Sequence, residues 1–208
     1  MCQSNQNCER CCAGCFKSVD TGKGIIDFFL DSPHLCGLCQ LSTNVLNLNV
    51  GEFKVLSFYK YETTVRVLLL RYKDGRDRSL AQPIMWRIKK KLKKYTPGKM
   101  VVVVPSRLDS QISRSFHHVE YLLDSAGIVS HSIFENKALH DQTNVSDRTD
   151  ITNNIILVAL AEIVNKDVVV VDDIISSGSS LEACMRLVKP YVKSVKGVSI
   201  SYSKRFEK

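Results

Sequence analysis

The sequence predicts an α/β fold, a mostly parallel sheet flanked by helices, with a small cysteine-rich module in front of it. Three observations carry this. Met100-Val101-Val102-Val103-Val104 and Val168-Val169-Val170-Val171 are β-branched runs that read as strands buried on both faces, and such strands belong mostly to parallel sheets covered by helices. Segments with helical apolar spacing alternate with the strands, and no internal repeat interrupts them. Finally, seven of the eight cysteines lie within the first 39 residues. At 208 residues the chain suits one domain with a small appendage, and 44% hydrophobic residues suffice for a core.

Residues 1–45 form the appendage and 46–208 the main domain. Cys8/Cys11, Cys12/Cys15 and Cys36/Cys39 are three Cys-x-x-Cys pairs. Without a secretion signal, such a cluster argues for metal rather than disulfides. A tetrahedral Zn²⁺ needs four thiolates, and two knuckles about 15 to 20 residues apart supply them. Cys12, Cys15, Cys36 and Cys39 fit best, with Cys8 and Cys11 as alternates. So short a segment has little core of its own, so the metal stabilises its fold. No apolar run is long enough to span a membrane, and the N-terminus lacks a signal pattern, so the expected location is the cytoplasm.

Residues 51–60 favour a strand and 62–72 a helix with Val65, Leu68, Leu69 and Tyr72 on one stripe. A second helix is expected over 79–95, with Ile84, Ile88, Leu92 and Tyr95 inward. The net charge of +8 is concentrated here: from Lys54 to Lys94 there are 13 Lys/Arg against three acids. Lys89, Lys90, Lys93 and Lys94 form a face able to neutralise nucleic-acid phosphates, including those of single-stranded DNA. A solvated helix surface accounts for the same pattern, and no aromatic residues interleave the lysines as a stacking platform requires. After the Met100–Val104 strand, Arg107 and Arg114 are placed to meet an anion such as pyrophosphate. A helix over 116–126, a strand over 128–134, a polar lid-like loop over 135–148, a helix from Asp150 to Val164 and a last strand over 195–202 complete the pattern.

The stretch from Val168 to Leu181 organises the rest. The strand is expected to stop at Asp172-Asp173, followed by Ile174-Ile175, the small-residue loop Ser176-Ser177-Gly178-Ser179-Ser180 and an amphipathic helix. A helix N-terminus with small residues and hydroxyls receives a phosphate. Two carboxylates just upstream accept hydrogen bonds from vicinal hydroxyls or hold a divalent cation such as Mg²⁺. A ribose 5-phosphate satisfies both halves. Neither Gly-x-x-x-x-Gly-Lys nor Gly-x-Gly-x-x-Gly occurs, which excludes a P-loop and a dinucleotide fingerprint.

This stretch resembles the phosphoribosyl pyrophosphate (PRPP) signature of type I phosphoribosyltransferases. The resemblance implies that Asp172 and Asp173 bind the ribose hydroxyls and that Ser176 to Ser180 cradle the 5-phosphate. The double Cys knuckle, Tyr72-Lys73-Asp74, Val104-Pro105-Ser106, an Arg-x-Phe, Gln142 before Arg148 and the PRPP signature occur in an order similar to that of the ComF family of bacterial natural transformation. That likeness implies a cytosolic phosphoribosyltransferase fold with a zinc ribbon, acting in uptake of transforming DNA beside a helicase-like partner. Where the family usually has Arg-Gly-Phe-Asn-Gln, this chain has Arg114-Ser115-Phe116-His117-His118, with the histidines expected to be exposed at a helix start. Two functions follow: phosphoribosyl transfer from PRPP with Mg²⁺, or a non-catalytic factor that keeps the PRPP fold for handling single-stranded DNA or docking a protein.

Overall fold

A computed structural model describes residues 11–18, 35–106, 116–136 and 155–206. Its main sheet has five strands: β1 (Leu46–Val50), β2 (Phe53–Lys60), β3 (Met100–Val103), β6 (Asp167–Ile175) and β7 (Ser194–Tyr202), in the order β1-β2-β7-β6-β3. β1 pairs antiparallel with β2, and every other pairing is parallel. β4 (Phe134–Asn136) and β5 (Ile155–Leu157) form a separate antiparallel pair.

Helices α1 (Thr63–Lys73), α2 (Ala81–Met85), α3 (Lys89–Tyr95) and α4 (His118–Ser125) cover one face, and α5 (Ser179–Val188) covers the other. The valines of β6 divide between the two layers as strand alternation requires: Val169 and Val171 pack towards α1 and α4, Val168 and Val170 towards α5. Gly197 of β7 lets α5 lie close, because a Cβ there would stand 2.8 Å from Val55 and 3.2 Å from both Leu181 and Met185. Cys184 is fully buried in this layer, as its place on an apolar helix face leads one to expect. The mostly parallel sheet flanked by helices is the predicted class. Among the described residues no helix is long and apolar enough to cross a membrane.

Several local expectations are corrected. β6 does not stop at the aspartates but runs to Ile175, with Asp172 opposite Ser199 and Ile174 opposite Ser201 of β7. The helix expected over 79–95 is split by a turn at 86–88, although Ile84, Ile88 and Leu92 are buried on one stripe. Of the helix expected from Asp150 to Val164, the described residues form β5 and a short 3-10 turn at Leu160–Glu162. Ile155 is buried and pairs with Asn136, so a β-branched run beside a partner strand overrides weak helical spacing. The strand expected over 128–134 is reduced to a single bridge from His131 to Val102, and regular pairing begins at Phe134. β1 was not anticipated. Residues 137–154, which include the polar loop, lie outside the described residues.

The cysteine segment packs against the sheet. Cys12, Leu35 and Leu41 belong to the same buried cluster as Phe58, Leu68 and Leu80.

Candidate functional site

Two constellations emerge from the fold. The first is the cysteine knuckle. Cys12, Cys15, Cys36 and Cys39 bring four sulfurs within 4.8 Å of one another, and the sulfurs of Cys15 and Cys36 are 3.7 Å apart. A tetrahedral ion bound at about 2.3 Å per thiolate separates its sulfurs by roughly 3.8 Å, so the donor set fits zinc. Cys12 is the most deeply set. Its sulfur accepts backbone N–H bonds from Cys36 at 3.2 Å and Gly14 at 3.3 Å. Burial pushes this thiol up, but the N–H donors outweigh it and bring it down to about 7. Such donors hold a thiolate ready for a cation. Cys11 is exposed and outside the cluster, and Cys8 lies outside the described residues.

The second constellation stands at the carboxyl end of β6, where ligands of open α/β sheets bind. Asp172 is half-buried, and its Oδ1 accepts the backbone N–H of Asp173 at 2.8 Å. Asp173 is buried on the opposite face. Its Oδ2 lies 2.5 Å from Lys73 Nζ, at the end of α1, and 3.1 Å from Nε2 of His118, at the start of α4. Neither contact has the alignment of a full hydrogen bond at Oδ2. Burial pushes the Asp173 carboxyl up, but His118 and Lys73 outweigh it and hold the group well below the usual carboxylate range. Asp172 goes the other way. Burial, and then the charge of Asp173 beside it, push its carboxyl up to about 8.

The acid pair is therefore asymmetric. With an ammonium already against Oδ2, Asp173 does not fit a divalent cation as a direct ligand, and Asp172, raised to about 8, has to give up its proton before it can hold one. Sequence reasoning missed both partners of Asp173. His118 is only 5% exposed, contrary to expectation, while its neighbour His117 is exposed as expected. On its other side, His118 Nδ1 lies 3.3 Å from the hydroxyl of Ser106. A cleft of about 250 Å³ opens beside them, lined by Ser106, His118, Glu120, Phe134 and Glu135 among others.

Beyond Ile175 the chain turns through Ser176, Ser177 and Gly178 into α5. Gly178 adopts the left-handed conformation with φ 85°, which a glycine takes at little cost. The N-cap residue of α5 is Gly178, which has no side chain to cap the helix. Ser177 and Ser179 hydroxyls meet at 3.0 Å, and the Ser179 N–H approaches Ser177 Oγ at 3.4 Å. Ser176 and Ser177 are exposed, and Ser179 and Ser180 are half-buried. A Cβ on Gly178 would stand 2.6 Å from Val50 Cγ1, so that side of the turn faces the core.

Arg107 and Arg114 lie outside the described residues. Lys90, Lys93 and Lys94 are exposed on α3, and the Lys89 ammonium sits 4.2 Å from the centre of the Trp86 ring. The Tyr95 ring carries two further lysines, Lys99 at 5.0 Å and Lys196 at 6.0 Å.

Comparison with known proteins places part of the chain. The sequence model of the phosphoribosyl transferase domain matches residues 118–201, from the start of α4 through all but the end of β7. No curated protein matches the chain. Among solved structures, a hypoxanthine phosphoribosyltransferase from Staphylococcus aureus is similar at 17% identity and a TM-score of 0.41, over 62% of this chain and 66% of that one, just under two thirds of its length. An adenine phosphoribosyltransferase from Leishmania tarentolae is similar at 10% identity and a TM-score of 0.45, over 78% of this chain and 96% of that one. Residues 118–201, less than half of the chain, are thus similar to the phosphoribosyl transferase domain.

Proposed function

We propose that the chain binds PRPP or a ribose 5-phosphate at the carboxyl end of its sheet and transfers the phosphoribosyl group with loss of pyrophosphate. One observation carries this reading. An acid pair at the end of β6 is followed by a small-residue loop that turns at Gly178 into the N-terminus of α5, all within the span of the matched domain. In this reading the 5-phosphate sits on the loop of Ser176 to Ser180, and Asp172 and Asp173 receive the ribose hydroxyls. As the bond from ribose C1 to the diphosphate breaks and a bond to the acceptor forms, positive charge develops on the ribose. Nearby carboxylates stabilise that charge. Mg²⁺, when bound, would neutralise the leaving diphosphate, and Asp172 would hold it once deprotonated. Arg107 and Arg114 complete the proposed anion site.

Zinc on Cys12, Cys15, Cys36 and Cys39 is proposed as structural, with residues 1–45 as its module and 46–208 as the phosphoribosyltransferase domain. The competence setting, cytoplasmic and beside a helicase-like partner, rests on the order of motifs. A role in handling single-stranded DNA is supported by the exposed lysines of α3 and by Lys89 over Trp86. A second reading, the same fold without turnover, is favoured by the contact of Lys73 with Asp173, which leaves one acid of the pair already engaged. Incubation of radiolabelled PRPP and Mg²⁺ with a panel of bases separates them. Pyrophosphate release with any acceptor supports transfer, and tight PRPP binding without release supports the second reading. Absence of PRPP binding refutes both.

A further inference from the structure

Three consecutive residues close α1, and each reaches a different part of the molecule. Arg71 Nη1 donates to the carbonyl of Gly14, between Cys12 and Cys15, and the guanidinium lies 4.6 Å from the centre of the Phe16 ring. Its Nη2 also holds Asp77 Oδ2 at 2.6 Å, in the turn after the helix. The Tyr72 hydroxyl donates to the carbonyl of His118 at 2.5 Å, and its ring meets Phe116 edge-on at 5.5 Å. Lys73 Nζ contacts Asp173. Successive side chains on a helix point about 100° apart, so a single turn serves three directions.

We propose that this last turn of α1 is a positioning element. It ties the four-cysteine knuckle to the acid pair, so that metal in the knuckle sets the affinity of Asp172 and Asp173 for the ribose of a ribose phosphate. The inference rests on the function proposed above. Its physical basis is the entropy of Lys73. A free lysine side chain samples many rotamers, so holding its ammonium on Asp173 requires a fixed backbone beneath it. Helix ends fray, and only contacts beyond the helix hold a last turn. Here those contacts are Arg71 to the knuckle, Arg71 to Asp77 and Tyr72 to His118. The chain then folds tightly back at Gly75, where a Cβ would stand 2.6 Å from the Arg71 carbonyl oxygen. Gly14 is equally confined, since a Cβ there would stand 2.9 Å from the Cys39 sulfur. The carbonyl that Arg71 grips is thus set by the second Cys-x-x-Cys as well as the first. Loss of the metal loosens Gly14, then Arg71, then Lys73.

The test compares the wild-type chain with Arg71→Leu, Lys73→Met and Lys73→Arg, each with zinc and after chelation. Calorimetry with ribose 5-phosphate and with inorganic phosphate reads the site, and amide hydrogen exchange reads β6 and the start of α4. Chelation of the wild type is expected to weaken ribose 5-phosphate roughly tenfold, the ordinary size of a coupling between sites. Inorganic phosphate, held by the loop alone, stays within about twofold on the same scale. Arg71→Leu retains zinc by elemental analysis, binds ribose 5-phosphate as weakly as the chelated wild type, and loses nothing more on chelation. Lys73→Met weakens it likewise, and Lys73→Arg restores it. Wild-type affinity in zinc-loaded Arg71→Leu overturns the proposal, as does a chelation effect of equal size in both proteins. If the wild type binds no ribose phosphate, the proposed function fails and hydrogen exchange alone decides the coupling. Zinc-dependent protection of residues 168–175 that vanishes in Arg71→Leu supports it, and zinc-independent protection refutes it.

Discussion

Replacement of Gly178 by alanine separates two contributions that the turn into α5 combines. At φ 85° and ψ −6° the residue is left-handed, which costs an L-residue about 1–2 kcal/mol. The new Cβ would also stand 2.6 Å from Val50 Cγ1 and 3.4 Å from its Cγ2, whereas carbon atoms rest at about 3.5–4.0 Å. Relief of such overpacking costs typically about 1–3 kcal/mol. Together Gly178→Ala should destabilise the fold by roughly 2–5 kcal/mol. A loss of 3 kcal/mol lowers the melting temperature by about 6–12 °C in a chain of this size. Val50→Ala removes the steric part and leaves the backbone part, so the double variant should be more stable than additivity predicts, by about 1–3 kcal/mol. Denaturant unfolding of the four proteins measures this. Additivity within about 0.5 kcal/mol, or a neutral Gly178→Ala, refutes the contact between the turn and β1.

The knuckle should hold one zinc per chain by elemental analysis of protein purified without chelator. Cys36→Ser should lose the metal and loosen residues 11–18 and 35–45 in hydrogen exchange while the sheet stays protected. With its carboxyl raised in the folded state, Asp172 makes the native protein bind more protons than the unfolded chain between the ordinary aspartate range and about pH 8. Stability should therefore fall as pH rises through that window. Asp172→Asn should flatten the slope and be at least as stable as wild type at pH 8 by thermal unfolding. Asp173 has the opposite sign: the stability it contributes is present above the unfolded aspartate value and is lost as pH falls through its lowered folded one. Lys73→Met leaves this buried carboxylate without its ammonium partner and should cost roughly 3–5 kcal/mol at neutral pH, read from urea unfolding. If α3 meets single-stranded DNA, charge reversal at Lys90 and Lys94 should reduce the slope of log affinity against log salt by about 1 or more.

The fold was legible where burial is continuous and local. Val168 to Val171 needs only its own composition to read as a central strand, and the stripe of Val65, Leu68, Leu69 and Tyr72 suffices for α1. β1 was equally legible and was overlooked: Leu48 and Val50 are buried while Asn47 and Asn49 face solvent, a period of two ended by the turn at Gly51. It lay hidden between the cysteine module and the aromatic-rich β2. The Asp-Asp and Ser-Gly parts of the site stood out because they are contiguous in the chain. Lys73 did not, since its partner Asp173 is 100 residues away and its surroundings look like any basic helix end. His118 was misjudged for a related reason. A histidine at a helix start is exposed unless a neighbouring element covers it, and Tyr72 and Asp173 do so here.

The division of labour between loop and acid pair is the central claim, and one set of titrations tests it. Ribose 5-phosphate and inorganic phosphate are each titrated calorimetrically into wild-type protein and into the Asp172→Asn, Asp173→Asn double variant. The loop from Ser176 to Ser180 should keep inorganic phosphate at wild-type affinity or better, because the negative charge of Asp173 near it is gone. Ribose 5-phosphate should lose at least about tenfold, the value of roughly 1.4 kcal/mol for hydrogen bonds to charged acceptors. Equal losses for the two ligands, or undiminished ribose 5-phosphate binding in the double variant, would contradict the account.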